Sequence, residues 1–317
     1  MIQRIDWQGT PAYTLENDHL IVSVCPAIGN NVYSIWDKTL QRELLRVPAS
    51  PSDMADAPVQ YGTPILMPPN RIRAGRFELN GQTYQFDINH ATGHHIHGML
   101  RSQPWSVVQT GEKDGALFIT SSIDLSGDAN VQRQYPHALE LEVTYVLQGA
   151  ALSHRLNVRN KGSQPAPFGY GLHTWFLLNG EPDKWTLQVP VSGIWELDAD
   201  NIPLGHIAPL GSLSAITEGL RLEGQNLDTV FQIGSGSPCL AVLSGEDLEL
   251  RYSGSSAFKQ WVIYTKGEAH DFVCLEPYTW VTNAPNIDLP ADVTGVQSIA
   301  PGAALELEVK LELSYKS

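Results

Sequence analysis

The feature that most constrains this chain is a strict two-residue alternation of apolar and polar side chains. Leu139, Leu141, Val143, Tyr145 and Leu147 are interleaved with Glu140, Glu142 and Thr144. Near the C-terminus, Leu305, Leu307, Val309, Leu311 and Leu313 alternate with Glu306, Glu308, Lys310 and Glu312. Successive side chains on a strand point to opposite faces, so each run has one apolar and one wet face. A helix would scatter the same residues around its circumference, so both runs are read as strands despite their good helix formers.

The rest of the chain follows the same plan. Residues 76–79 and 82–86 flank Asn80-Gly81, which supplies the positive φ angles of a type I′ hairpin turn. Further strands are expected at 19–24, 31–36, 105–110, 116–123, 150–159, 185–190, 240–244, 247–252 and 260–264. Gly, Pro, Asn and Asp punctuate the gaps between them. No helix of three turns is expected, nor any repeat or dividing linker. So many half-apolar strands must bury their faces against another sheet. The expected fold is all-β, a large antiparallel β-sandwich, with 1–317 forming a single domain.

Bulk properties exclude several functions. A formal net charge of −14 repels nucleic-acid phosphates and anionic membranes, so neither is expected as a partner. The three cysteines, Cys25, Cys239 and Cys274, form no CxxC pair and fit a reducing compartment. The opening MIQRIDWQGT lacks the features of a signal peptide, and no apolar run is long enough to span a bilayer. A cytoplasmic protein is expected.

Four segments carry candidate chemistry. The proline-studded run Tyr61–Arg73 delivers Asn70 and Arg71, a donor–acceptor amide and a planar fork of donors suited to a polyhydroxylated ligand. A structural loop with a surface Arg explains it equally well. In His94-His95-Ile96-His97-Gly98, His95 and His97 would share a strand face and could chelate, but no acidic or cysteine ligand is close in sequence. Solvated loop histidines, or one imidazole working on a ligand oxygen, are the other readings. In Phe168–Phe176, His173 sits among aromatic residues and two close glycines, either as a packed core histidine or as an imidazole lining a cleft where sugar C–H faces pack on rings. Glu276 follows three apolar residues and precedes a proline, at the end of a buried strand. Burial there would raise its pKa toward that of a general base, the alternative being an edge-strand Glu facing water. Asp228, taken alone, reads as an ordinary turn Asp.

Taken in order, these blocks resemble the aldose 1-epimerase (galactose mutarotase) family. The resemblance rests on the proline-rich block ending Asn70-Arg71-Ile72, the hairpin to Gly81, His97-Gly98 with Trp105, Gly171-x-His173 to Phe176, Ile202-Pro203-Leu204-Gly205, Asp228, and Glu276-Pro277. It implies a β-sandwich of the galactose mutarotase (supersandwich) type. It also implies catalysis by His173 as general acid and Glu276 as general base, with Arg71, His97, Asp228 and Asn70 holding the sugar. No cofactor or metal is expected, and the partner is a small-molecule, hexose-like free aldose, bound by a monomer or homodimer. Thr174 and Trp175 depart from the Pro and Tyr of many relatives, and the His94-His95 doublet is less typical. Two other function classes remain: a carbohydrate-binding or sugar-sensing protein on the same scaffold, and a metal-dependent hydrolase built on the histidine run.

Overall fold

The computed structural model describes residues 1–267 and 271–316. Its frame is a nine-stranded antiparallel sheet. In order across the sheet, its strands are Ser106–Lys113, Ala116–Asp124, Leu139–Gln148, Ala151–Asn160, Ala304–Tyr315, Leu248–Gly254, Cys239–Ser244, Thr186–Gln188 and Leu220–Arg221. The two alternating runs sit at its centre. Leu139, Leu141, Val143, Tyr145 and Leu147 are all buried on one face, as are Leu307, Val309, Leu311 and Leu313. The final strand inserts between two earlier ones, pairing Leu156 with Leu307 and Tyr252 with Leu311. The last segment of the chain therefore completes the middle of the sheet.

The buried face packs on a second, eight-stranded sheet. That sheet runs Pro203–Ala208, Val191–Leu197, Asp228–Ile233, Gln260–Tyr264, Phe272–Tyr278, Gly171–Leu172, Ile65–Leu66, with Thr174–Leu177 also pairing with Phe272–Tyr278. The seam between the sheets is aromatic and hydrogen-bonded. Tyr252 lies edge-on to Phe176 at 5.4 Å between centroids, and its hydroxyl is 2.8 Å from Thr174 Oγ1. His154 Nε2 lies 2.8 Å from the Tyr170 hydroxyl. These two contacts satisfy buried hydroxyls across the seam. A five-stranded sheet of Ile2–Trp7, Thr10–Glu16, Leu20–Cys25, Asn31–Asp37 and Arg42–Glu43 flanks this sandwich.

The all-β expectation holds, as does the hairpin, with Arg76–Leu79 paired to Gln82–Gln85 and positive φ at both Asn80 and Gly81. Helices are limited to short pieces such as Pro51–Asp56 and Ala129–Gln134. Among the described residues no helix is long and apolar enough to cross a membrane. Strands at Ile2–Trp7, Thr10–Glu16, Val191–Leu197 and Pro203–Ala208 were not expected from the sequence. Burial along Ile2–Trp7, Thr10–Glu16 and Pro203–Ala208 follows no two-residue alternation, while Val191–Leu197 alternates in burial but carries Gly193 on its buried face and bulges that shift its register. Asp228, read alone as a turn residue, begins the strand Asp228–Ile233.

The central strand provides a direct check on this face assignment. Leu141→Ala should cost about 2–5 kcal/mol of unfolding free energy. Glu142→Ala, one residue along on the wet face, should stay within about 0.5 kcal/mol. Urea denaturation measures both, and equal effects would contradict the register.

Candidate active site

The site starts from one strand pairing. Thr174 pairs with Leu275 and Gly171 with Tyr278, two points on the same antiparallel register. Between them, His173 stands opposite Glu276, and His173 Nε2 lies 3.4 Å from Glu276 Oε1. The local sequence makes this approach possible. A Cβ on Gly171 would fall 2.3 Å from the Tyr278 ring, and one on Gly169 would fall 2.1 Å from the Trp280 ring. The two glycines admit those rings against the backbone, and the Tyr278 hydroxyl then donates to Glu276 Oε2. The His173 N–H is held by the Pro64 carbonyl at 3.1 Å.

The proline-studded loop delivers the next residues. Ile65–Leu66 joins the sheet beside Gly171–Leu172. Beyond it, Asn70 adopts a left-handed backbone and its Oδ1 accepts from the Arg71 N–H at 2.9 Å and from Arg71 Nη1 at 3.1 Å. The Arg71 carbonyl accepts from the Asn283 N–H at 2.8 Å, and Asn283 Oδ1 accepts from the Arg73 N–H at 3.0 Å. Among the described residues Arg71 forms no ion pair, so its guanidinium is available to the cleft.

His97 follows a two-residue pairing of His95 with Ile72 and Ile96 with Arg71. Its backbone is left-handed at φ 61°, and its N–H donates to the Asn70 carbonyl at 2.9 Å. Gly98 follows at φ 66°, where a Cβ would lie 2.2 Å from the Met67 carbonyl oxygen. That close approach turns the His97 ring edge-on to His173, with centroids 5.3 Å apart. Arg101 fastens the turn by donating to the Ile96 and Gly98 carbonyls.

Asn70, Arg71, His97, His173, Asp228 and Glu276 all line one cleft of about 500 Å³. That is within the roughly 300–1,000 Å³ typical of small-molecule sites. Asp228 lies at its exposed rim and accepts from Asn201 Nδ2 at 3.2 Å. A larger groove of about 730 Å³, lined by residues that include Ser192, Gly234–Ser237, Lys259 and Asp292, contains none of these six.

The histidine run does not act as a unit. His94 Nδ1 accepts from the Ala74 N–H at 3.1 Å, while its Nε2 lies 3.3 Å from an Asp200 carboxylate oxygen. His95 Nδ1 lies 2.7 Å from the Asp87 carbonyl, and its ring stacks on Phe86. Among the described residues the group of three donors with metal-like spacing is instead His173, Cys274 and Glu276. Arg71 and Arg73, two residues apart, diverge: Arg71 lines the cleft and Arg73 pairs with Asp198.

Sequence reasoning passed over Trp175 and Tyr264 as cleft residues. The Trp175 indole stacks on His173 at 5.1 Å and 8°, and its Nε1 donates to the Val59 carbonyl at 2.7 Å. The Arg46 guanidinium lies 5.0 Å from the Trp175 ring on its other contacts, between Tyr61 and Phe272. The signal was Trp175 itself, a departure from the Tyr of many relatives.

Burial sets the electrostatics. His173 is 6% exposed and Glu276 is 2% exposed. Desolvation drives the His173 imidazole down to about 3 and raises the Glu276 carboxyl well above its usual range, the Tyr278 hydroxyl and Arg71 opposing the latter. His97 is lowered well below neutrality, first by burial and then by the nearby His173. In this dry contact neither member ionises easily alone, while an ionised carboxylate would stabilise an imidazolium 3.4 Å away.

The sequence profile of the aldose 1-epimerase family matches residues 11–312, and the chain belongs to that family. Uncharacterized protein YihR of Escherichia coli K12 is 28% identical over 200 residues, 61% of each chain. Galactose mutarotase of Rattus norvegicus is 31% identical over 156 residues, 47% of this chain and 43% of the rat protein. The chain thus aligns with less than two thirds of the length of either relative. A galactose mutarotase-like protein from Clostridium acetobutylicum superposes with a TM-score of 0.94 at 23% identity, covering 100% of this chain and 99% of that one. Galactose 1-epimerase from Lactobacillus acidophilus superposes at 0.80 and 17%, with the same coverage. At these identities the structural likeness establishes the shared fold.

The buried imidazoles make stability pH-dependent. Burial holds His95 near 4 and His154 and His173 near 3. In the unfolded chain each binds a proton near pH 6.5. The folded state therefore binds fewer protons below that value, and stability is lost as pH falls from about 6.5 toward 3–4, by up to about 1.4 kcal/mol per pH unit per imidazole. Glu276, raised by burial, works in the opposite sense. The melting temperature should fall between pH 7 and 4, and His154→Gln should show a smaller fall. An identical pH slope in that variant would contradict a neutral buried His154.

Proposed function

We propose that this protein is an aldose 1-epimerase, interconverting the α and β anomers of a free aldose with His173 and Glu276 as the proton-transfer pair. The observation that carries the reading is their meeting at 3.4 Å, Glu276 on a strand and His173 between two strands paired with it, in a polar cleft. Glu276 takes the proton of the C1 hydroxyl while His173 gives one to the ring oxygen. The C1–O5 bond breaks and an open-chain aldehyde forms. Rotation about C1–C2 presents the other carbonyl face, and reversing both transfers closes the ring. The pair holds one proton before and after, moving between an imidazolium–carboxylate and an imidazole–carboxylic acid arrangement, so no external acid is consumed.

The surrounding residues suit this chemistry. Tyr278 steadies one carboxylate oxygen, leaving Oε1 toward the imidazole. Trp175 holds the His173 ring plane and offers an apolar wall to sugar C–H groups. Arg71, His97, Asn70 and Asp228 are read as hydroxyl partners around the cleft. With Arg73 turned away and Arg101 committed to carbonyls, the lining offers no basic cluster to clamp a phosphate, so a free hexose-like sugar is the favoured substrate. The continuous apolar core supports reading the chain as one domain.

Freshly dissolved α-glucose and α-galactose, followed by polarimetry or NMR, should equilibrate faster with the protein present. Glu276→Gln and His173→Asn should each lower the rate about 10²–10⁴-fold. Full activity in Glu276→Gln would overturn the assignment. Sugar binding without any acceleration, across a panel of free aldoses, would instead indicate a binding protein.

A further inference from the structure

Behind the proton-transfer pair lies a third group that the proposed reaction does not use. Cys274 is two residues before Glu276 on the strand Phe272–Tyr278, so both side chains leave the same face. Cys274 is buried, unoxidised and absent from the lining of the cleft. One donor atom each from His173, Cys274 and Glu276 lies within 4.8 Å of the other two.

This is the donor set and spacing of a thiophilic metal site. Zinc binds thiolate at about 2.3 Å and imidazole or carboxylate at about 2.0–2.2 Å, which sets tetrahedral neighbours roughly 3.3–3.7 Å apart. His173 Nε2 and Glu276 Oε1 already stand at 3.4 Å. With all three donors within 4.8 Å of one another, the thiol needs to close by at most about 1–1.5 Å to reach the same spacing. Cys274 and Glu276 share one strand, and His173 sits between two short strands that pair with it and is tied by its N–H to the Pro64 carbonyl, so the arrangement is largely preformed. Magnesium and calcium prefer more numerous oxygen ligands, and the set does not suit them.

We propose that His173, Cys274 and Glu276 form a three-donor inhibitory site for a divalent cation of the zinc class, with the fourth coordination position open to the cleft. The cation displaces the thiol proton and any proton on the carboxyl to solvent, and two anionic donors then balance its charge. It takes the imidazole lone pair and the carboxylate oxygen that would move protons, so turnover and occupancy are mutually exclusive. The inhibition rests on the proposed mutarotation; the binding does not.

The test uses the full-length chain stripped of metal. Cadmium serves as the optical probe, through its thiolate-to-metal charge-transfer absorption in the ultraviolet. Wild type should develop this band with one equivalent of cadmium, while Cys274→Ala and Cys274→Ser should not, although both retain Cys25 and Cys239. His173→Asn, which leaves the thiol in place, should bind cadmium at least ten-fold more weakly. In mutarotation assays zinc should inhibit wild type reversibly on chelation, and the Cys274 variants should need at least ten-fold more; magnesium should have no effect. A missing band in wild type, unchanged cadmium affinity in His173→Asn, or equal zinc inhibition of wild type and folded Cys274 variants would overturn the site. A normal band in a protein that epimerises no aldose would leave the site standing and remove the reading on which the inhibition rests.

Discussion

The structure depends on the antiparallel register between Thr174–Leu177 and Phe272–Tyr278. Strand side chains alternate, so a one-residue slip would turn Glu276 from the cleft into the core. The register is held from both sides. Val273 and Leu275 are buried in the sandwich, and Gly169 and Gly171 leave room for the Trp280 and Tyr278 rings that would otherwise clash with backbone substituents. The same packing that stabilises the sheet therefore brings an imidazole and a carboxyl, far apart along the chain, into contact.

Burying that pair is costly in isolation, and the structure compensates only part of the cost. Tyr278 donates to one carboxylate oxygen and Arg71 lies within electrostatic reach. His173 is gripped by stacking on Trp175, which is itself fastened through its indole N–H to Val59. With the carboxyl pushed up and the imidazole pushed down, the incomplete compensation favours the uncharged imidazole–carboxylic acid form of the pair. Cys274 shares the strand face that presents Glu276, which brings a thiol beside the same dry contact and is the basis of the proposed cation site.

The walls of the cleft are built differently from its floor. They come from loops held in backbone conformations that few residues tolerate. Asn70 and His97 both have positive φ, and Gly98 passes so close to Met67 that a methyl group would not fit. Asn283, also left-handed, ties the loop carrying Arg71 and Arg73 to the chain beyond Glu276. The sheets thus fix the His173–Glu276 pair, while turns braced by backbone hydrogen bonds aim the polar groups above it.

Much of this was legible in the order of residues alone. Alternation at 139–147 and 305–313 marked the central strands, because burying one face of a sheet imposes period two on the side chains. Asn80-Gly81 marked its hairpin, because that pair accepts the backbone angles of the turn. The blocks around Asn70, His97, His173, Asp228 and Glu276 pointed to a family and to one cleft. Other features arose only from the tertiary structure. Val191–Leu197 alternates in burial, but its bulges and the glycine on its buried face hide the strand in the sequence. The division of labour among His94, His95 and His97 depends on which loop each ring meets. The pairing of Arg73 with Asp198, the stacking of Trp175 on His173 and the approach of Cys274 to the His173–Glu276 pair join residues by contacts that alternation does not encode. Local periodicity specifies which face of a strand is apolar; which strands become neighbours, and so which functional groups meet, is decided by packing the whole chain.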